Sequence, residues 1–105
     1  MSAVATDWNN NFTPTKYVSD ITISGANGEI TITYDTNEIP QLNSGNLVVL
    51  TPSINGSDLP TAAAAGTAGN IDWACAGADG NTATNRGLPV TTGTVLARYL
   101  PSECK

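Results

Sequence analysis

The sequence predicts a mainly β protein that is built on a four-stranded antiparallel sheet. Three observations support this fold class. Several short segments alternate apolar and polar residues with the period of two that a half-buried strand requires. An Asn-Gly dipeptide, typical of a tight hairpin turn, lies between the first two of these segments. No segment has the apolar spacing of an amphipathic helix of ten or more residues, and the length of 105 residues corresponds to a single domain.

The first two strands are expected to form a hairpin. The segment "KYVSDITIS" (residues 16–24) is followed by "GANG" and then by "EITITYD" (residues 29–35). Asn27 and Gly28 tolerate the positive φ angles that a tight turn requires. The apolar positions that we expect to face inward are Ile21, Ile23, Ile30, Ile32 and Tyr34.

Two further strands follow after a loop. "NLVVLTPSI" (residues 46–54) contributes Leu47 and Val49 to the inward face, and Pro52 is expected to end this strand. The connector "SDLPTAAAAGTAG" has room for one helical turn before its glycines end it. "NIDWAC" (residues 70–75) alternates again, with Ile71 and Trp73 facing inward. The remainder predicts a long loop with a short ordered stretch near residues 95–100.

The first residues carry no such pattern. "MSAVATDWNNN" (residues 1–11) shows no apolar periodicity, so the pattern predicts no helix or strand there.

The predicted sheet has one apolar face that the rest of the chain does not cover. A sheet needs a second layer over its apolar face, and the loop after the fourth strand is too rich in Gly and Thr to supply all of it. We therefore expect a helix from outside these residues to dock there, since an uncovered face promotes association. The predicted helix-docking face consists of Ile21, Ile23, Ile30, Ile32, Tyr34, Leu47, Val49, Ile71 and Trp73.

Composition disfavours several classes of function. The net charge is −5, and only four Lys and Arg residues are present, so the chain is not expected to bind nucleic acid. The longest strongly apolar run, residues 47–50, is far too short to insert into a membrane. There is no histidine, no GxSxG turn and no obvious carboxylate pair, so we predict no enzyme activity, no cofactor and no metal site.

The two cysteines, Cys75 and Cys104, allow three interpretations: a disulfide, two free thiols or part of a metal site. Zinc normally requires four ligands, and the sequence has no CxxC motif. The wide separation also disfavours a redox-active pair. A structural disulfide, and hence an oxidising compartment, is favoured, with two buried thiols as the alternative.

Together these segments resemble a known family. "FTPTKYVSDITISGANGEITITY", "LVVLTPSI", "IDWACAG" and the ending "ARYLPSEC" occur in an order and spacing similar to the C-terminal globular domain of type IV pilins of the type IVa class. The resemblance covers residues 12–105. It implies one pilin-like domain over residues 1–105, in which residues 1–16 end the loop between helix and sheet. It also implies that a Cys75–Cys104 disulfide bounds a loop over residues 75–104.

The chain departs from that pattern at its beginning. The long N-terminal pilin helix, which completes the family's α+β roll, is missing from this sequence. Either the chain is a laboratory truncation, or it resembles the separately encoded C-terminal subunit of a split pilin. Even the second half of the helix is missing, which favours the split form.

The resemblance implies a structural subunit of an extracellular type IV pilus or pilus-like filament, assembled from the inner membrane and periplasm. Its expected partners are an N-terminal helical pilin subunit or segment and other pilin subunits. The alternative is a stand-alone β-rich module for adhesion or carbohydrate binding. An uncovered sheet face distinguishes the two, because a stand-alone module should cover its own core.

Overall fold

The structure of the chain, a computed structural model, describes residues 2–105. The helices are α1 (Ser2–Asn11), α2 (Leu59–Ala64) and α3 (Asn81–Asn85). The strands are β1 (Val18–Ile23), β2 (Ile30–Tyr34), β3 (Leu47–Ile54), β4 (Ser57–Asp58) and β5 (Ile71–Ala76). Single 3-10 turns occur at Pro40–Leu42, Ala97–Tyr99 and Ser102–Cys104.

The strands form one antiparallel sheet, which confirms the predicted fold class. β1 pairs with β2, and β2 pairs with β3. The opposite side of β3 pairs with β5, and the two-residue β4 pairs with the end of β3. The four longer strands are the four that the sequence predicts. The predicted hairpin is present, but its turn spans residues 24–29 instead of the Asn27-Gly28 dipeptide alone, and of these two residues Gly28 has a positive φ (77°) whereas Asn27 does not.

A second Asn-Gly dipeptide forms a turn that the sequence analysis does not predict. Asn55 and Gly56 have φ angles of 53° and 80° and connect β3 to β4. Both central residues of a type I′ hairpin turn need positive φ, and this dipeptide satisfies that requirement. β4 therefore exists because the chain reverses there.

Pro52 does not end β3, contrary to the prediction. β2 pairs with β3 only as far as Leu50, whereas β4 pairs with it only from Ser53 onward. On the edge of β3 that pairs with β2 and β4, Pro52 falls in the gap between these two pairings. β3 therefore continues past it to Ile54. A proline is tolerated in a strand where its missing N–H interrupts no ladder.

Residues 2–11 are helical, which corrects the loop that the resemblance implies for this part of residues 1–16. α1 lies beside β1, and Ala5 is only 3% exposed. The sequence "SAVATDWNNN" has weak helix propensity, including three consecutive asparagines. Contacts with β1, not local propensity, account for the helix.

The region after β5 covers the side of the sheet that carries Val49, Thr51 and Ala76. These three residues are at most 5% exposed. The backbone N–H of Thr91 donates to the hydroxyl of Thr51 (3.4 Å), which holds the loop on this side. α3, which the sequence did not predict, is a five-residue helix within the same region.

The chain then passes from one side of the sheet to the other through a crossing segment, residues 93–95. It lies between the start of β3 and the residues just after β5: Thr94 N–H donates to Leu47 O (2.8 Å), and Gly93 N–H donates to Gly77 O (2.8 Å). Beyond the crossing segment, Val95 packs with Val48 in the main apolar cluster. The predicted long loop is therefore tied to the sheet.

The resulting molecule is thin. Its principal extents are 44 × 34 × 16 Å, and its Cα radius of gyration is 14.4 Å. A compact domain of this length would have a radius of gyration of about 13 Å. Short helices and loops, rather than a complete second layer, lie against the sheet.

Candidate functional site

The sheet has one face on which apolar side chains predominate, and the strand register defines it. Residues that are paired across neighbouring strands point to the same side of a sheet. Ile21 lies opposite Ile32, and Ile32 lies opposite Val48. The apolar face consists of Ile21, Ile23, Ile30, Ile32, Tyr34, Val48, Leu50, Pro52, Ile54, Ile71, Trp73 and Cys75.

Two residues of the predicted docking face lie on the opposite side. Leu47 pairs with Thr33, and Val49 pairs with Thr31, so both side chains point away from the apolar face. Val48 and Leu50 occupy those places instead. The cause is the sequence "LVVL", which is apolar at every position because β3 is covered on both sides. The alternation of apolar and polar residues that would assign these side chains to one face is therefore absent from this strand. Only the register with β2 shows which of them lie on the apolar face.

The other seven predicted residues do share the apolar face. They are Ile21, Ile23, Ile30, Ile32, Tyr34, Ile71 and Trp73.

The apolar face is covered at one end and open at the other. Leu42, Val48 and Val95 form a buried cluster, and Leu100 packs against it. At the far end Ile71 is 54% exposed and Trp73 is 43% exposed. The four isoleucines of β1 and β2 are half-buried. The open part therefore extends over the isoleucines of β1 and β2 and over Ile71 and Trp73 of β5, whereas Pro52 of β3, on the same face, is buried.

A cleft of about 460 Å³ lies at the covered end. It is bounded by Tyr34 of the apolar face, by the 3-10 turn Pro40–Leu42 and by residues 95–101. Its lining is mostly apolar and consists of Tyr34, Ile39, Gln41, Leu42, Val95, Tyr99, Leu100 and Pro101. Such a cleft is suited to an apolar side chain more than to a charged ligand. The cleft could not be predicted from the sequence, because Ile39 and Leu42 lie in a segment that has the pattern of a loop.

The C-terminal tail is fixed beside the apolar face by the disulfide. Cys75 and Cys104 are bonded, with their Cα atoms 4.6 Å apart, which confirms the disulfide-bounded loop. Backbone hydrogen bonds support the same arrangement: Gly77 N–H donates to Cys104 O (3.2 Å), and Thr82 N–H donates to Lys105 O (2.9 Å). The tail therefore packs on the end of β5 and on α3.

One arginine joins three parts of this region. Arg86, at the end of α3, lies 3.1 Å from the carboxylate of Asp72 on β5 and 3.8 Å from that of Glu103 in the tail. All three side chains are substantially exposed, so the ion pairs contribute little stability. Asp72 therefore takes part in a surface contact.

Within residues 2–105, no group of three or more His, Cys, Asp or Glu residues is placed to hold a metal ion. Over the same residues, no helix is long and apolar enough to span a membrane.

The pKa of Asp58, at the start of α2, is lower than usual. Hydrogen bonds from Thr61 stabilise its carboxylate, with the larger effect from the Thr61 side chain and the smaller effect from the Thr61 backbone N–H.

Comparisons with known proteins agree with this geometry. The family model for pilin, a bacterial filament protein, matches residues 2–105. The crystal structure of a type IV pilin of Pseudomonas aeruginosa (strain Pa110594) superimposes with a TM-score of 0.88 at 35% sequence identity. That match covers 99% of this chain and 77% of the other. None of the curated proteins compared with the chain matches it. A family match over nearly the whole chain and a shared fold with a type IV pilin lead to one conclusion: the chain belongs to the pilin family of bacterial filament proteins.

Proposed function

We propose that the chain is the globular part of a type IV pilus subunit and that its apolar face docks a pilin helix. Pilins are structural subunits of extracellular bacterial filaments, so assembly with other pilin subunits, rather than turnover of a substrate, is the function of the family. The observation that carries the helix-docking proposal is the open part of the apolar face. A stand-alone adhesion module would leave this face unexplained.

The shape of the face suits a helix. An α-helix with its side chains is about 10 Å across, and it would lie over the half-buried isoleucines of β1 and β2 and over Leu50 of β3. Burying about 400 Å² of apolar surface there would contribute about 10 kcal/mol before the costs of ordering. That is enough for helix and sheet to behave as one folded unit, whether or not one polypeptide contains both.

The cleft at the covered end adjoins the apolar face and would extend the surface on which the helix docks. Tyr34 belongs both to the apolar face and to the cleft lining. We propose that a large apolar side chain of the helix enters the cleft between Leu42 and Tyr99. In a filament the helices would pack at the axis and this domain would lie outside them.

The test is to replace single residues on opposite faces of the β1–β2 hairpin. Ile23→Asp and Ile32→Asp, made singly and together, would place carboxylates on the apolar face. Thr22→Asp is the matched control, because Thr22 is exposed and points to the other side of β1. Circular dichroism checks folding, and titration with a synthetic pilin-helix peptide measures binding.

We expect each isoleucine variant to weaken binding by about 100-fold or more, since a buried carboxylate without a partner is costly. Thr22→Asp should bind like the parent. Normal binding by folded Ile23→Asp and Ile32→Asp would show that the helix docks elsewhere.

A further inference from the structure

The outer edge of β1 is occupied by side chains from the N-terminal segment. Among the strands of residues 2–105, β1 pairs only with β2, so it is an edge strand. In an antiparallel pair, alternate residues direct their N–H and C=O groups away from the partner strand. At the open edge of β1 these are Val18, Ile21 and Ile23, as their hydrogen bonds show. Such groups are a template on which another strand can pair.

Asn9 takes the place of a neighbouring strand at Ile23. Its Nδ2 donates to Ile23 O (3.0 Å), and its Oδ1 accepts from Ile23 N–H (2.8 Å). A side-chain amide has the same donor and acceptor as a peptide group, so Asn9 makes both hydrogen bonds that a paired residue would make. Trp8, the preceding residue of α1, donates from Nε1 to Ile21 O (2.9 Å).

The connector after α1 covers the other end of the strand. Thr15 N–H donates to Val18 O (2.9 Å), and Thr15 Oγ1 accepts from Val18 N–H (3.3 Å). The edge of β1 is thus covered at Val18, Ile21 and Ile23 by one continuous segment of the chain.

We propose that α1 and its connector, residues 2–15, form an edge cap that prevents β1 from pairing with β1 of a second copy of this chain. This inference does not depend on helix docking. A second copy is the partner because the strand suits self-pairing. In an antiparallel pair with Ile21 opposite Ile23, Asp20 lies opposite Ser24, so no two carboxylates face each other. The apolar faces of the two copies would also become continuous.

The cap is held by few contacts. Within residues 3–11 of α1, only Ala5 is fully buried, whereas Val4 is 68% exposed and Trp8 is 41% exposed. A ten-residue helix is marginal in water without tertiary contacts. The hydrogen bonds of Trp8 and Asn9 are therefore decisive for its position, and removing one of them should open the edge.

The experiment compares adjacent asparagines in the full chain. Asn9→Ala removes both hydrogen bonds to Ile23, while Asn10→Ala makes the same change at the next, exposed position. Amide hydrogen exchange at Ile23 measures the edge contact, and analytical ultracentrifugation measures association. Trp8→Phe is a second variant that keeps the ring beside Phe12 but loses the N–H to Ile21 O.

In Asn9→Ala, exchange at the Ile23 amide should accelerate by about 10-fold, the effect of one net hydrogen bond. A dimer should form as concentration rises, and the amide signals of Ile21 and Ile23 should shift with it. Trp8→Phe should also dimerise. If Asn9→Ala does not fold, the association of Trp8→Phe tests whether the edge cap prevents dimerisation. The parent and Asn10→Ala should remain monomeric at this edge.

Three results would overturn the proposal. The first is unchanged exchange at Ile23 in folded Asn9→Ala. The second is accelerated exchange without dimerisation in either variant. The third is association whose signal changes map only to the side chains of the apolar face, which would assign it to the open sheet face instead of the edge.

Discussion

At the scale of single residues, the disulfide is expected to contribute substantially to stability. Cys104→Ser, or the double variant with Cys75→Ser, should lower the free energy of unfolding by about 2–4 kcal/mol, because the unfolded chain regains the freedom of a long loop. Urea titration measures this loss. The tail should loosen without detaching, since Thr82 still holds it through its hydroxyl at Ser102 O (2.9 Å). Alkylation of two thiols in native, unreduced protein would contradict the bond.

Asp58 should make stability depend on pH in the acid range. It is the N-cap of α2, and its carboxylate accepts from Thr61 N–H at 2.9 Å. Its pKa is lower in the folded protein than in the unfolded chain, so the cap stabilises the fold above the unfolded pKa. That contribution is lost as the pH falls from about 4 through the lowered folded-state pKa. Urea midpoints from neutral pH down to about pH 2 should fall less for Asp58→Asn, which keeps an acceptor but does not titrate. Identical pH profiles for parent and variant would contradict this.

At the scale of elements, the crossing segment requires a residue without a side chain. A Cβ added to Gly93 would overlap the carbonyl of Leu47, which is strand backbone and cannot move aside. Gly93→Ala should therefore destabilise the protein by about 3 kcal/mol, as overpacking does. Gly66→Ala is the control: its φ of 66° makes alanine unfavourable by about 1 kcal/mol, but nothing lies within 4 Å of the added atom. Thermal unfolding compares the two variants, and equal losses would contradict the role of the crossing segment.

The elements also show what could be predicted from the sequence and why. β1 and β2 were assigned to the correct face because isoleucine alternates with polar residues in both. β3 could not be assigned, since it is apolar at four consecutive positions and both of its sides are covered. α1 could not be predicted from local pattern, because its stability depends on hydrogen bonds to residues 13 and 14 positions away. Local periodicity therefore predicts elements that are amphipathic by themselves, and it fails where a distant partner determines the structure.

At the scale of the whole molecule, thinness and the open apolar face have one cause. The region after β5 covers β3 and β5 on one side, and it reaches the other side only at the covered end through the crossing segment. The isoleucines of β1 and β2 remain half-buried, and Ile71 and Trp73 are exposed. The chain therefore covers the apolar face at the end that carries the tail, and the other end of the face stays open.

We expect a helix that docks on the apolar face to stabilise the folded chain measurably. A ligand that binds only the folded state stabilises it by about 2.7 kcal/mol at 100 times its dissociation constant. For a domain of this size, that raises the melting temperature by about 10–20 °C. We expect a synthetic pilin-helix peptide to produce this shift with the parent and with Thr22→Asp, but not with the Ile23→Asp, Ile32→Asp double variant. By electron microscopy the chain alone should form no filaments, because the proposed cohesion lies between helices. Ordered filaments formed without the pilin-helix peptide, or an equal rise in the melting temperature of the double variant, would show that assembly does not use the apolar face.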